Sequence, residues 1–243
     1  MTRDRLLILF AALLAAAATA RLGWWQLDRA AQKNALQAAI ETRRALPTLP
    51  AGELARDALE ATRQYHRQVM LGGHWMPAAT IFLDNRQRQG RPGFLLLTPL
   101  LLDDGSAVVV QRGWLPREFI ERTRVAAPPL PQGEVRVSGR IAPAPPRLYE
   151  FDAAASGPIR QNLDLAAFAA EVGQPLRPLS LLQLAPGEPA ASADGLDRDW
   201  PQPAADVHKH YGYAFQWFAL AGLIVGLFVW FQLIRPRRAC AQT

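Results

Sequence analysis

Phe94-Leu-Leu-Leu-Thr-Pro-Leu-Leu-Leu102, Asp103-Asp104-Gly105-Ser106 and Ala107-Val-Val-Val-Gln-Arg-Gly-Trp-Leu115 follow one another as two apolar runs around an acidic turn. Asp-Gly between Leu- and Val-rich runs is a short-hairpin signal, so residues 94–102 and 107–115 are expected to pair antiparallel. Runs of similar character stand at 66–76, 80–86 and 134–141. Gly72-Gly73, the stretch 90–93 and the Pro-rich stretch 126–131 punctuate the set. Residues 163–172 read as a short helix begun by Asn162 or Asp164, and 179–184 as another strand. The expected domain is led by an antiparallel β-sheet, barrel- or sandwich-like, with short helices.

Two apolar stretches flank this domain. Residues 6–20 carry no polar side chain except Thr19. Arg21, which can snorkel, and the interfacial pair Trp24 and Trp25 extend the run to the about 20 residues that cross a bilayer. Residues 214–234 contain only Gln216 and Gln232 as polar interruptions. Arg3 and Arg5 precede the first run and Arg235, Arg237 and Arg238 follow the second, which places both ends in the cytoplasm. The expectation is a multi-pass protein of a bacterial inner membrane, α+β, with its large domain in the periplasm. Its parts are a cytoplasmic N-terminus (1–5), transmembrane helix 1 (6–25), an exported β-rich domain (26–213), transmembrane helix 2 (214–234) and a cytoplasmic tail (235–243). A competing reading of the first run is a cleaved signal peptide, since Ala18-Thr19-Ala20 resembles a small-residue cleavage site. Good helix formers over 26–46, with Pro47 and Pro50 beyond, predict instead that the helix continues outward. Residues 187–205 form a Pro-, Gly- and Ala-rich return to the lipid bilayer.

The single cysteine, Cys240, falls in the tail, so neither a disulfide nor thiolate chemistry is expected in the exported domain. Of the 27 basic residues 25 are Arg, and the net charge of +6 is too diffuse to indicate nucleic acid. The sequence lacks GxSxG, HExxH, CxxC, a P-loop and a dinucleotide fingerprint, and no catalytic role is expected. His66 and His74 are placed on one face of a strand, with no carboxylate motif between them to complete a metal site.

His208-Lys209-His210-Tyr211-Gly212-Tyr213 runs straight into the second apolar stretch, where ionisable groups are functional candidates. At helical spacing His210, Tyr213 and Trp217 share a face, the pattern of an interfacial aromatic belt or of a site for a flat iron macrocycle with His210 as axial ligand. Trp25, Arg29 and Lys33 fall at i, i+4 and i+8, suited to lipid headgroups or to a ligand's carboxylates. Gly222 and Gly226 are expected to let the two spans approach. Arg86 and Arg112, each expected to end a strand next to a glycine-containing segment, are read either as supports of the same site or as donors that satisfy loop carbonyls.

Together these segments resemble the surfeit locus protein 1 family. The matching pieces are Leu22-Gly23-Trp24-Trp25-Gln26-Leu27-Asp28-Arg29; Asp84-Asn85-Arg86 followed by Gly90, Gly93 and Thr98-Pro99; and Gln111-Arg112-Gly113-Trp114-Leu115-Pro116. They continue as Gln161-Asn162-Leu163-Asp164, Asp199-Trp200-Pro201 and His210-Tyr211-Gly212-Tyr213-Ala214-Phe215-Gln216-Trp217-Phe218. The resemblance implies a cytochrome c oxidase assembly factor that binds haem a transiently, with oxidase subunit I and haem a synthase as partners. The family's haem-associated histidine falls on His210, with Tyr213 and Trp217 as its neighbours. Gln32 and Arg160 depart from the pattern, standing where an aromatic is often found. The competing expectation is a scaffold that holds oxidase subunits or other assembly factors without handling haem.

Overall fold

The computed structural model describes residues 3–117, 125–149, 157–184, 194–200 and 206–234. Its helices are α1 (Arg3–Arg44), α2 (Ala58–Gln64), α3 (Leu165–Val172) and α4 (Val207–Val229), the last continued by a π-helical turn, Trp230–Ile234. The strands are β1 (Gln68–Trp75), β2 (Ile81–Leu83), β3 (Gly93–Leu101), β4 (Ala107–Pro116), β5 (Glu134–Ala142), β6 (Ile159–Arg160) and β7 (Leu176–Gln183). Two compact units result, Ile40–Trp200 and Met1–Ala39 with Pro201–Thr243. Arg235, Arg237, Arg238 and Cys240, and most of the return stretch 187–205, lie outside the described residues.

In the sheet unit the expected hairpin forms. β3 and β4 pair antiparallel from Leu101↔Ala107 to Gly93↔Pro116, and the turn closes with Leu102 N–H donating to Ser106 O at 2.8 Å. Positive φ at Gly105, 78°, is what this turn needs and what glycine supplies without steric cost. Both strands bury nearly every residue, because their alternate side chains enter different clusters. Val108 and Val110 join Leu71, Leu100, Val137, Ile141, Leu179 and Leu181, while Val109 joins Ile81, Leu83, Leu97 and Phe168. A central strand covered on both faces reads as a continuous apolar run.

Several expectations need correction. The strands make one seven-stranded sheet in the order β1-β5-β7-β4-β3-β2-β6, with no second sheet among the described residues to form a sandwich. β1 also pairs with β3 through His74↔Leu101 and Trp75↔Leu100. The sheet is mixed, not antiparallel, since β7 runs parallel to β4 and β6 parallel to β2. Parallel neighbours need long crossovers, and the chain from β4 to β7 passes through β5, β6 and α3. His66 is not on β1: it has φ 74° in the turn after α2, so no strand face brings it beside His74. Arg86 lies beyond β2 in the connection to β3, and Arg112 lies within β4, not at its end. Leu96 pairs with Gly113 and Leu97 with Gln111, so Arg112 is the extra residue of a β-bulge. α2 and β6 carry no sequence signal strong enough to have been expected.

α3 starts where Asp164 accepts from the Ala166 and Ala167 amides at 2.9 and 3.0 Å, and stops at Gly173 in the left-handed region. Those amide bonds hold the Asp164 carboxyl below its ordinary pKa.

In the helical unit α1 is continuous for 42 residues, about 63 Å at the α-helical rise, or twice the apolar thickness of a bilayer. The helix therefore does continue beyond residue 25, through the expected helix formers of 26–44. Both α1 and the stretch Val207–Gln232 are long and apolar enough to cross a membrane, and only 6% of the most apolar window of each is buried. Each helix has one covered stripe with residues alternately four and three apart. On α1 it contains Ala12, Ala16, Thr19, Gly23, Gln26 and Ala30, and on α4 Val207, His210, Ala214, Trp217, Ala221, Ile224 and Phe228. Such spacing keeps one seam facing a partner helix. Small residues on α1 oppose aromatic ones on α4.

Gly23, not the expected Gly222 and Gly226, provides the close approach. A Cβ built on Gly23 meets the Phe218 ring at 2.8 Å, whereas Gly222 and Gly226 have nothing within 4 Å of theirs. Gly23→Leu is expected to push the helices apart and destabilise their pairing by about 1–3 kcal/mol. Spin labels on exposed Leu13 and Leu223 would report a longer interhelical distance; an unchanged distance would contradict this role for Gly23.

Candidate functional site

α4 opens at Val207 after Asp206, whose φ of 76° takes the backbone out of the helix and whose carboxylate makes no cap bond. That carboxylate pairs with Lys209 Nζ at 2.8 Å, which lowers the Asp206 pKa and raises that of Lys209. One turn in, His210 is half-buried on the covered stripe. Its Nδ1 lies 2.7 Å from Gln26 Oε1 of α1. An amide oxygen only accepts, so Nδ1 carries a proton and donates, and in the neutral ring the lone pair is then on Nε2. The ring makes no other hydrogen bond among the described residues.

Two turns further, Trp217 is half-buried on the same stripe, and beside it Trp24 meets Phe218 edge to face at 5.9 Å. Tyr211 Oη accepts from Asn34 Nδ2 at 3.2 Å, tying the first turn of α4 to α1. Tyr213, expected beside His210, turns off the stripe and is 52% exposed. Trp25 and Arg29 also lie on the outer side of α1. Their side chains stack, with the guanidinium 5.7 Å from the ring, and Arg29 donates to Gln32 Oε1. Lys33, half-buried, continues the spacing of Gly23, Gln26 and Ala30, and its charge helps to lower the Asp206 pKa. The expected trio is thus split: Lys33 belongs to the stripe that holds Gln26, while Trp25 and Arg29 face outward.

Arg86 and Arg112 belong to the sheet unit and are engaged there. Arg86 donates to Pro146 O at 2.7 Å and Gln161 O at 2.8 Å, and burial lowers its pKa. Arg112, 2% exposed, stacks over Trp75 at 5.7 Å. Asp194 lies 4.0 Å from Arg112 and also pairs with Arg198. Burial lowers the Arg112 pKa, with the Asp194 charge opposing that shift and Arg198 adding to it. Of the two positions that depart from the family pattern, Gln32 bridges Arg29 and Asp28, and Arg160 forks onto Glu171 at 2.8 and 2.9 Å above the Phe168 ring.

Gln26 was not foreseen as a site residue. The signal was present: it stands three residues after Gly23 and seven before Lys33, the one neutral polar side chain on that stretch of the stripe. The donor set suits an iron porphyrin better than a bare ion. It offers one imidazole with a free ring nitrogen beside a half-buried indole, and no group of three His, Cys, Asp or Glu able to hold a metal occurs among the described residues.

Residues 13–222 match the model of the SURF1 family. The chain is 27% identical over 213 residues to a SURF1-like protein of Rickettsia bellii, covering 85% of this chain and 83% of that one. It is 34% identical over 100 residues to the cytochrome oxidase assembly protein SHY1 of Saccharomyces cerevisiae, where the match covers 41% of this chain and a quarter (25%) of the yeast protein. A SURF1-like protein of Rickettsia felis is 30% identical over 95 residues, or 38% of this chain and 39% of that one. Because the family match runs from within α1 to within α4 and takes in every strand of the sheet, the chain belongs to the SURF1 family.

Proposed function

We propose that this protein is an inner-membrane assembly factor for haem a-containing cytochrome c oxidase that holds haem a at His210 and delivers it to oxidase subunit I. The observation that carries the reading is the His210–Gln26 contact, which presents Nε2 at the entry to an apolar helix, on the stripe that carries Trp217 two turns further on. Haem a, when bound, supplies the iron, which an imidazole nitrogen can ligate. His210 would hold the iron through its imidazole, Trp217 would offer an aromatic face two turns along the same stripe, and Lys33, with Arg29 on the outer side of α1, would be cations for the propionates. Helices 6–25 and 214–234 span the bilayer with both ends cytoplasmic and the sheet unit periplasmic, a topology that brings His210 to the outer lipid surface. Haem a synthase is the partner expected to load the site. The reading is non-catalytic, and the name of the yeast relative supports an assembly role.

Protein purified from a host that makes haem a is expected to carry haem a absorbance near one per chain. Deleting the gene while haem a remains abundant should leave oxidase with its subunits associated but lacking haem a. Loss of subunit association, with haem a still present in whatever oxidase assembles, would replace this reading with that of a scaffold.

A further inference from the structure

We infer that Gln26 is the positioning residue of the site, and that its being an amide rather than a carboxylate makes His210 a releasable ligand. This rests on the haem a reading above. Gln26 is half-buried on the covered stripe of α1, and its Oε1 reaches His210 Nδ1 across 184 positions of sequence at 2.7 Å. By accepting the Nδ1 proton it fixes the ring's tautomer and orientation, so that Nε2 faces away from α1 as an electron-pair donor.

The partner of a ligating histidine also sets the ligand's strength. A carboxylate draws the Nδ1 proton toward itself and raises the basicity of Nε2, whereas a neutral amide polarises the ring much less. Two carboxylates stand close by in the helical unit, and both are committed elsewhere. Asp28, half a turn from Gln26 on α1, accepts from Gln32 Nε2 at 2.7 Å. Asp206, one turn before His210, is held by Lys209 at 2.8 Å. Neither acid is hydrogen-bonded to the imidazole, although the ring's charge is among those that lower the Asp206 pKa, and the amide is the group that meets Nδ1. A resident cofactor gains from a strong ligand, but a carrier must let a competing ligand take its cargo.

Two readouts test this. In haem-free protein labelled with 15N at histidine, the His210 ring is expected in the Nδ1–H form. Gln26→Met should shift it toward Nε2–H, and Gln26→Glu should restore Nδ1–H. In haem a-loaded protein, Gln26→Met should weaken binding about tenfold, the lower end for loss of an outer-shell partner. Gln26→Glu should slow haem a transfer to excess apomyoglobin, by about tenfold. Unchanged tautomer in Gln26→Met overturns the positioning role, and equal transfer rates for wild type and Gln26→Glu overturn the release role. Wild-type protein that binds no haem a overturns the proposed function and the release role with it, while the tautomer measurement still decides whether Gln26 positions His210.

Discussion

His210→Ala is expected to remove haem a from the purified protein, lowering occupancy by more than the about 10–100-fold that loss of an outer-shell partner costs. The imidazole is the only histidine ring on the covered seam, since His208 is exposed and His66 and His74 belong to the sheet unit. Without Nε2 the seam keeps Gln26, Trp217 and Lys33, which supply polarity, packing and charge but no imidazole for the iron. His208→Ala, two residues away in the same turn of α4, should leave occupancy unchanged. His210→Gly opens space for a free ring, so millimolar imidazole should restore the absorbance. Full haem a occupancy in His210→Ala would remove the axial role altogether. The substitution should not unfold the helical unit, because Gly23–Phe218, Trp24–Phe218 and Asn34–Tyr211 remain.

The largest effect on stability is expected from Arg177→Met. Arg177 is 6% exposed on β7, and its guanidinium reaches two segments, residues 54–55 and the β3–β4 turn. It donates to Leu54 O at 3.1 Å and Ala55 O at 3.4 Å, to Ser106 Oγ at 2.9 Å, and to the Asp104 carboxylate. A methionine fills much of the volume but leaves the Leu54 and Ala55 carbonyls without this donor, while Asp104 keeps Ser106 and Arg56. Each buried carbonyl left without its donor costs about 1–3 kcal/mol, whereas the half-exposed, still-paired Asp104 adds little, so a loss of about 2–4 kcal/mol is expected. For a domain of this size the loss corresponds to about 10 °C in the unfolding temperature of the sheet unit. Circular dichroism of the detergent-solubilised protein would measure it. Arg56 pairs with the same Asp104 at 3.4 Å but its side chain is 73% exposed, so Arg56→Met should change stability by less than about 0.5 kcal/mol. A drop no larger for Arg177→Met than for Arg56→Met would show that the network contributes little.

The contrast between those two arginines shows where sequence reading stopped. Basic residues that are almost all arginine look like a compositional bias in the chain, yet Arg86, Arg112, Arg140, Arg160 and Arg177 are buried or largely so. Most of these guanidiniums cap loop carbonyls or pair with acids from distant segments, and a five-donor planar fork suits that work better than a lysine. Arg86 and Arg112 drew attention as possible supports of the site because each sits near a glycine. The bulge that turns Arg112 over Trp75 depends on how β4 is registered against β3, which no local pattern reports.

For the candidate site the division is similar. His210 stood out because an ionisable ring at the mouth of an apolar helix is costly to ignore, and helical spacing correctly joined it to Trp217. Spacing alone misjudged Tyr213, Trp25 and Arg29, because a stripe chosen by i, i+4 does not reveal which side of the helix the partner covers. Gln26 and Gly23 became visible only when α1 and α4 were paired.

What the sequence determined alone was every feature with a local cause: two long apolar helices from run length, the β3–β4 hairpin from Asp-Gly chemistry, the start of α3 from Asp164, and the continuation of α1 from its helix formers. What tertiary structure decided was every feature that joins residues far apart in the chain. These are the parallel pairing of β7 with β4, the carbonyl partners of the arginines, and the meeting of His210 with Gln26. Side-chain period and turn preference act over a few residues, whereas register and helix facing are set by which surfaces exclude water together.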